Sequence, residues 1–258
     1  FVYKYDIPYV VVTHLITDEA LASAIGIYKS KITETLERAK KIIAVSESIR
    51  TKLTTFTDKP IDMIYPSLPY YLHVSARETY RGLFDIPICG KLYLTVARLS
   101  KVKGYYRLLD AIEYMRRKEP VKFRDATFAW VGGGPEELKL HEEIHKRQLT
   151  NKIILTGQQC ESNVTSWFSA ADYFVLPSYA EGLPIALIEA AARGLSIIVT
   201  PVDGIKELFW HLAIQPEELG NALCNPPENG DAAFEVYIHH LTSKKTLERV
   251  ISCLRSAC

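Results

Sequence analysis

The chain has 258 residues, which corresponds to roughly two domains on a prior of ~150 residues each. Its 31 Lys and Arg side chains balance 30 Asp and Glu side chains, so no net field favours nucleic acid or an anionic membrane. Five widely spaced cysteines without a C-x-x-C pair argue against a disulfide framework or a zinc ribbon, and they predict reduced thiols in a cytoplasmic protein. No apolar run approaches the ~20 residues of a membrane span.

The first 60 residues have the strand and helix pattern of an α/β unit. An apolar, β-branched run at residues 7–13 is typical of a buried parallel strand, and it ends at His14. A basic helix at about residues 25–41 has a solvated face, with a membrane-surface or acceptor-docking role as the alternative. Further strands are predicted at residues 42–45 and 61–65, with a helix between them.

The second part of the chain alternates strands and helices, which indicates βαβ units around a parallel sheet. Strands are predicted at residues 91–97, 126–131, 152–155, 172–176 and 196–200. Helices are predicted at residues 105–118, 135–148, 162–170 and 184–193, with two more around Ser243 in the tail at residues 231–257. Prolines cluster around residues 57–72, so we divide the chain into residues 1–60, 61–228 and 229–258.

In an open parallel sheet, ligands bind beyond the carboxyl ends of the strands. This rule brings together four loops, at residues 97–104, 132–136, 156–159 and 178–184. Arg98 and Lys103 in the first loop suit a phosphate or pyrophosphate, with ordinary surface cations as the alternative. The glycine turn in the second loop permits close backbone approach to a ligand, with a simple tight turn as the alternative. Neither a G-x-G-x-x-G nor a P-loop motif is present.

The segment at residues 177–208 carries two carboxylates, Glu181 and Glu189. Gly182 permits a close approach to a ligand, and Pro184 suits the first turn of a helix whose free N–H groups form an anion site. The helix is apolar on nearly every side, which predicts burial in an α/β core. Glu189 either pairs with Arg193 at i, i+4, or points into a cleft and accepts hydrogen bonds from ligand hydroxyls.

Two histidine patterns are less informative. Residues 141–145 match H-E-x-x-H, but the helix is charged on nearly every side and no well-placed third ligand follows. We therefore predict a solvated helix and no metal site there. His14 lies at a strand end, where a cleft residue would be found, and a structural histidine is the alternative.

Together these residues resemble the glycosyl transferases group 1 family, also called family four, of retaining glycosyltransferases with the GT-B fold. Arg98 and Lys103, each after the same strand, and the G-x-G-P turn at residues 132–135 are similar to that family's motifs. The most specific likeness is the run ADYFVLPSYAEGLPIALIEAAARGLSIIV, in which seven residues separate two glutamates. The resemblance covers about residues 7–208.

The resemblance implies a complete C-terminal Rossmann-like domain with a parallel sheet, plus the last part of an N-terminal Rossmann-like domain. Further βα units before His14 would lie outside this sequence or come from a partner chain. The implied activity is that of a metal-independent, retaining hexosyltransferase without a cofactor. Its donor would be a UDP- or GDP-linked sugar, its acceptor a lipid, glycan or small molecule, and its location cytoplasmic, with peripheral membrane contact. The alternative is a non-catalytic nucleotide-sugar-binding module or the donor-binding subunit of a split glycosyltransferase.

The resemblance also implies roles for individual residues. Arg98 and Lys103 would stabilise the departing diphosphate, where negative charge develops in the transition state. Glu181 would hold the donor sugar and phosphate, Glu189 would bind the ribose hydroxyls, and His14 would contact the sugar or the acceptor from the opposite domain. The implied donor-binding positions are Gly133, Gly182, Leu183, Pro184 and Glu189.

Overall fold

Two parallel sheets with their helices organise the chain in the computed structural model, which describes residues 9–14, 27–68 and 77–255. The predicted α/β architecture is confirmed, because each strand predicted from the sequence is present within those ranges. Residues 7 and 8, the predicted beginning of the first strand, lie outside the described residues.

Within the described residues, the first sheet has three parallel strands in the order β1-β2-β3. Its elements are Val10–Thr13 (β1), Ile27–Arg38 (α1), Lys41–Ala44 (β2), Glu47–Leu53 (α2) and Ile61–Met63 (β3). Leu36, Ile42, Ala44, Ile49 and Leu53 form a small apolar core between the sheet and its helices. β3 follows residue 60 in the sequence but is hydrogen-bonded to β2, so this strand lies in the first sheet.

Over residues 77–255, five parallel strands form the second sheet in the order β6-β5-β4-β7-β8. These strands are Lys91–Val96 (β4), Ala126–Val131 (β5), Ile153–Leu155 (β6), Tyr173–Leu176 (β7) and Ser196–Val199 (β8). The chain builds the sheet outward from β4 through β5 to β6, and then returns to the other side of β4 with β7 and β8. The point between β4 and β7 is therefore a topological switch point.

Helices cover both faces of the second sheet. They are Arg77–Leu83 (α3), Tyr105–Lys118 (α4), Pro120–Arg124 (α5), Glu137–Lys146 (α6), Glu161–Ala170 (α7), Ile185–Ala192 (α8), Asp203–Phe209 (α9), Leu219–Cys224 (α10), Gly230–His240 (α11) and Ser243–Arg255 (α12). Short 3-10 turns lie at Lys101–Lys103, Trp210–Leu212 and Pro216–Glu218.

Each face of the second sheet has its own apolar cluster, as expected for a parallel sheet that is buried on both sides. Leu92 and Leu94 of β4 pack into a cluster that includes the buried side chains of α7 and α8. The intervening Tyr93 points the other way, into the cluster formed with α4 and α6. This alternation fixes the position of β4 at the centre of the sheet, so the loop that follows it is held by packing on both sides.

The structure differs from the sequence-based prediction mainly at helix ends and in short helices. The basic helix predicted at residues 25–41 ends at Arg38, and Lys41 already begins β2. Helices α3, α5, α9 and α10 were not predicted, because runs of five to seven residues carry too little periodic pattern to be recognised. The two predicted tail helices are present as α11 and α12.

The last helix returns to the first sheet. Val250 and Cys253 of α12 pack on Ile43 and Ile64, and the Cys253 thiol donates to the Asp62 carboxylate at 3.1 Å. The first sheet is thus covered by helices from both ends of the chain. Within the described ranges, the search for a helix of sufficient length and hydrophobicity to cross a lipid bilayer found none.

Candidate functional site

A pocket of about 900 Å³ opens at the carboxyl edge of the second sheet. Three of the four loops predicted to meet there line it, namely those after β4, β5 and β6, with Arg98 and Gly133 among the lining residues. The fourth loop, at residues 177–184, follows β7 on the other side of β4. The loops after β4 and β7 therefore flank the switch point, where open parallel sheets form their ligand crevice.

Two of the three glycines in the 132–134 turn serve the protein rather than a ligand. A Cβ added at Gly132 would lie 2.2 Å from the carbonyl oxygen of Ala97, and one added at Gly134 would lie 2.2 Å from that of Leu99. Only glycine permits this contact between the turn and the loop after β4. A Cβ at Gly133 would meet its nearest atom at 3.2 Å, so this glycine is less tightly enclosed.

The side chains of Lys103 and Glu181 meet across the switch point. Lys103 Nζ lies 2.7 and 2.8 Å from the two carboxylate oxygens of Glu181, and the Ser178 hydroxyl donates to one of them at 2.6 Å. Glu181 is 3% exposed, and a buried carboxylate requires such partners. The Lys103 side chain is partly exposed, at 18%. The pair joins the loop after β4 to the loop after β7.

The backbone of the 177–184 loop is fixed by neighbouring elements. The N–H of Tyr179 donates to Val102 at 2.8 Å, and the carbonyl oxygen of Ser178 accepts from the Thr200 hydroxyl at 2.7 Å and from Arg107 at 2.9 Å. The Arg107 guanidinium also lies over the Tyr179 ring, 3.7 Å from its centroid. These contacts hold Glu181 in place before any ligand arrives.

His14 reaches this loop through its backbone. A Cβ added at Gly182 would lie 1.8 Å from the carbonyl oxygen of His14, which makes glycine necessary for the approach of the first sheet. The His14 side chain is exposed. The close approach predicted at Gly182 was to a ligand, whereas the atom that lies close to Gly182 in the structure is this carbonyl oxygen of the protein.

The helix predicted to begin at Pro184 begins one residue later. Pro184 is the residue before α8, with an extended ψ of 127°, and the helix begins at Ile185. Leu183 is buried at 4% exposure. The apolar character predicted for α8 is confirmed at Leu187 and Ile188, which are fully buried. We conclude that packing of its apolar side chains fixes α8 directly behind the 177–184 loop.

The spacing of Glu189 and Arg193 allowed two interpretations, an i, i+4 ion pair or a Glu189 side chain that points into a cleft. The side-chain ion pair does not form. In the described part of the chain, Arg193 instead donates to the backbone carbonyl of Glu189 at 2.9 Å and lies over the Phe168 ring. Burial raises the pKa of Glu189, the Arg193 charge opposes this, and Glu161 adds to it. Glu189 is not among the residues that line the pocket. Its carboxylate retains capacity to accept hydrogen bonds.

The H-E-x-x-H helix is α6, and it lies on the surface as predicted. His141 and His145 are both exposed. A search of the described residues found no group of three or more His, Cys, Asp or Glu side chains positioned to hold a metal ion. The helix contributes to the pocket through its first residue, Glu137, whose carboxylate lies beside Gly133.

Some residues at the site were not identified from the sequence. Ser178 and Arg107 hold the 177–184 loop, and Glu137 and Gln159 line the pocket. A hydroxyl three residues before Glu181 was a usable indication, because Ser and Thr side chains often bond to nearby groups. Nothing in the local sequence indicated Arg107, since its partners lie some 70 residues further along the chain.

The chain matches the family described as Glycosyl transferases group 1 over residues 77–252, more than half of its length. It is 31% identical over 185 residues to the putative teichuronic acid biosynthesis glycosyltransferase TuaC of Bacillus subtilis, a match that covers 69% of this chain and 44% of that protein. It is also 31% identical over 170 residues to the putative colanic acid biosynthesis glycosyltransferase WcaL of Salmonella typhimurium, covering 63% of this chain and 39% of that protein. The chain thus matches less than half the length of these relatives.

Among solved structures, the fold is similar to that of Anabaena HepE in complex with UDP and glucose. The TM-score is 0.82 at 18% sequence identity, over 99% of this chain and 73% of that chain. At this identity the likeness shows the fold, which is the GT-B arrangement of Rossmann-like parallel sheets that the sequence predicted. By its family match and its fold, the chain belongs to the glycosyl transferases group 1 family.

Proposed function

We propose that the chain is a glycosyltransferase that moves a hexose from a nucleotide sugar to an acceptor with retention of the anomeric configuration. The observation that carries this proposal is the Lys103–Glu181 pair at the switch point of the second sheet, next to a pocket lined by Arg98. A buried carboxylate paired with a partly exposed lysine can bind a sugar hydroxyl and a phosphate side by side.

Each charged group then has a role at a separate part of the donor. Arg98 and Lys103 stabilise the diphosphate as it departs, because charge that develops in the transition state is best met by cations already in position. Glu181 accepts hydrogen bonds from the donor sugar, and Glu189 accepts them from the ribose. Gly133 lies along the nucleotide, and the backbone of residues 182–184 lies along the sugar and phosphate.

The chemistry needs no covalent intermediate on the protein. The bond between the anomeric carbon and the diphosphate oxygen breaks, and the acceptor oxygen bonds to that carbon on the same face. The acceptor proton passes to the departing diphosphate. Arg98 and Lys103 supply positive charge without a metal, and His14 contacts the sugar or the acceptor from the side of the first sheet.

The donor and acceptor classes are proposed from relatives. HepE was solved with UDP and glucose, which supports a UDP-linked hexose. TuaC is described as acting in teichuronic acid biosynthesis, which supports a glycan acceptor.

A panel of UDP-, GDP- and ADP-sugars tests the proposal by release of nucleoside diphosphate. We expect turnover of at least one donor by the wild-type chain, and about 100-fold less by Glu181→Gln, since one group that contacts the transition state is commonly worth that factor. Glu217→Gln is the matched control, because Glu217 is exposed on the turn Pro216–Glu218. Equal turnover by both variants would refute the assignment of Glu181.

The same panel separates the enzyme from the binding-module alternative. Nucleotide binding without turnover, restored by an added partner chain, would identify the chain as a donor-binding subunit. Neither binding nor turnover with any nucleotide would contradict both interpretations.

A further inference from the structure

Helix α9 joins the first sheet to the second through one carboxylate. Glu207 accepts hydrogen bonds from the backbone N–H groups of Glu47 at 2.9 Å and Ser48 at 2.8 Å. These groups form the N-terminus of α2, where the N–H groups have no partner within their own helix and the helix dipole favours a negative charge. A residue of the second sheet's last βα unit thus caps a helix of the first sheet.

The start of the same helix touches the 177–184 loop. The N–H of Gly204 donates to the carbonyl oxygen of Glu181 at 3.3 Å. A Cβ added at Gly204 would lie 1.3 Å from the carbonyl oxygen of Gly182 and 3.2 Å from Ser46 Cβ. The backbone at residue 204 is therefore packed between the site loop and the residue that precedes α2.

Two further contacts support this junction. Lys52 Nζ lies 2.9 Å from a carboxylate oxygen of Asp203, and the Tyr65 hydroxyl donates to Glu207 at 3.4 Å. Burial and the Glu207 charge raise the pKa of Tyr65, so its hydroxyl stays protonated and continues to donate. Asp203 has a φ of 24°, a conformation that a non-glycine residue keeps only where its surroundings hold it.

We propose that Glu207 is a positioning residue for sugar transfer, which fixes the 177–184 loop against the His14 strand end without contacting the donor. This inference rests on the proposed function. Helix α9 contacts both the 177–184 loop and α2 of the first sheet. Releasing Glu207 from α2 therefore lets the first sheet move relative to Glu181 and Gly182. The reacting groups on the two sides of the cleft then lose their alignment, to which transfer rates are sensitive.

The affinity of the proposed nucleotide pocket for UDP is the quantity against which a change in kcat can be compared. The lining residues of the pocket lie between Val96 and Val164, on segments that include neither α2 nor α9. Loss of the Glu207 contact should therefore lower kcat and leave the affinity for UDP unchanged. A general loss of folding would lower both quantities.

The test compares Glu207→Ala and Glu207→Gln with the control Glu47→Gln. Glu47 belongs to the same helix end, but its exposed carboxylate pairs with Arg50 of the same helix. We expect kcat to fall by about 10- to 100-fold in Glu207→Ala. The kcat of Glu207→Gln should fall less, because the amide oxygen of the glutamine can still accept one hydrogen bond. Glu47→Gln should match the wild type, and the Kd for UDP should be the same in all four proteins.

Hydrogen exchange provides a readout that does not depend on turnover. In Glu207→Ala we expect faster exchange in peptides covering residues 45–50 and 178–184, with no change at residues 132–137. Faster exchange in a chain that turns over no nucleotide sugar would uphold the positioning contact while refuting the proposed function. Unchanged exchange at residues 178–184, or a kcat equal to that of Glu47→Gln, would overturn the inference.

Discussion

The two glutamates of the 177–208 segment lie in different electrostatic surroundings. Glu181 is buried, but Lys103 and Ser178 satisfy its carboxylate. Glu189 is partly buried without an ion pair to Arg193, and its pKa is raised. The first carboxylate is therefore fixed in place by the protein. The second carboxylate has no ion pair with Arg193 and keeps the hydrogen-bonding capacity that its proposed role at the ribose requires.

The raised pKa of Glu189 predicts a pH-dependent stability. Between its ordinary value of 4.5 and the raised value, the folded state binds the proton more tightly than the unfolded state does. The contribution of this group to the free energy of unfolding is thus present below pH 4.5 and is lost as the pH rises through the raised pKa. Urea unfolding at a series of pH values should show that Glu189→Gln lacks this loss and gains stability relative to the wild type toward neutral pH.

The control for this series is Glu217→Gln, because Glu217 is exposed. Its unfolding free energy should follow that of the wild type at every pH. A Glu189→Gln curve that runs parallel to the wild type across the whole range would mean that burial does not perturb this carboxyl group.

At the scale of elements, the sequence predicted the strands and long helices but not the short helix α3. Alternation of apolar runs with periodic helices is a local pattern, and it was sufficient to place the carboxyl-edge loops together. The run RETYRGL of α3 looks solvent-exposed in sequence, yet Arg81 is fully buried. Its partners include the carbonyl oxygens of Gly90 and Ala170 and the carboxylate of Asp172, which local sequence cannot identify.

The pairing of Lys103 with Glu181 likewise depends on contacts between distant parts of the chain, which local sequence does not reveal. Family resemblance placed both residues at the donor, but the contact between them spans 78 residues and depends on the switch point between β4 and β7. For the glycine turn at residues 132–134, the sequence left open whether it approaches a ligand or is a simple tight turn, and it did not reveal what Gly132 and Gly134 contact. Their neighbours, the backbone atoms after β4, become visible only once the loops are packed.

Arg81 should contribute strongly to stability through α3. Replacing it with Met removes the charge that faces Asp172 and takes a donor away from the buried carbonyl oxygens of Ala170 and Gly90. Breaking one partner of a buried pair typically costs about 3–5 kcal/mol, so we expect Arg81→Met to lower the free energy of unfolding by about that amount in urea titrations.

Arg77→Met is the matched control for this element. Arg77 pairs with the same Asp172, but its side chain is 44% exposed, and such pairs contribute about 1 kcal/mol or less. Similar losses in the two variants would show that burial does not distinguish the two arginines.

At the scale of the whole molecule, the pocket at the carboxyl edge of the second sheet and the contact between the two sheets are built from different segments. The pocket is lined by loops of the second sheet alone. The first sheet is attached by α9 through Glu207 and by α12 through Val250 and Cys253. On the proposed function, this division predicts that UDP binds at the second sheet.

Calorimetric titration of the chain with UDP measures this binding. We expect saturable binding, weakened by about tenfold or more in Arg98→Ala, because a charge-assisted hydrogen bond to a phosphate is worth about 1.5–3 kcal/mol. Arg124→Ala is the control, since Arg124 precedes β5 at the opposite edge of the sheet and pairs only with the neighbouring Asp125 among the described residues. Binding that is unchanged in the control and weakened in Arg98→Ala would support the account. No binding by the wild type, or equal binding by all three proteins, would contradict it.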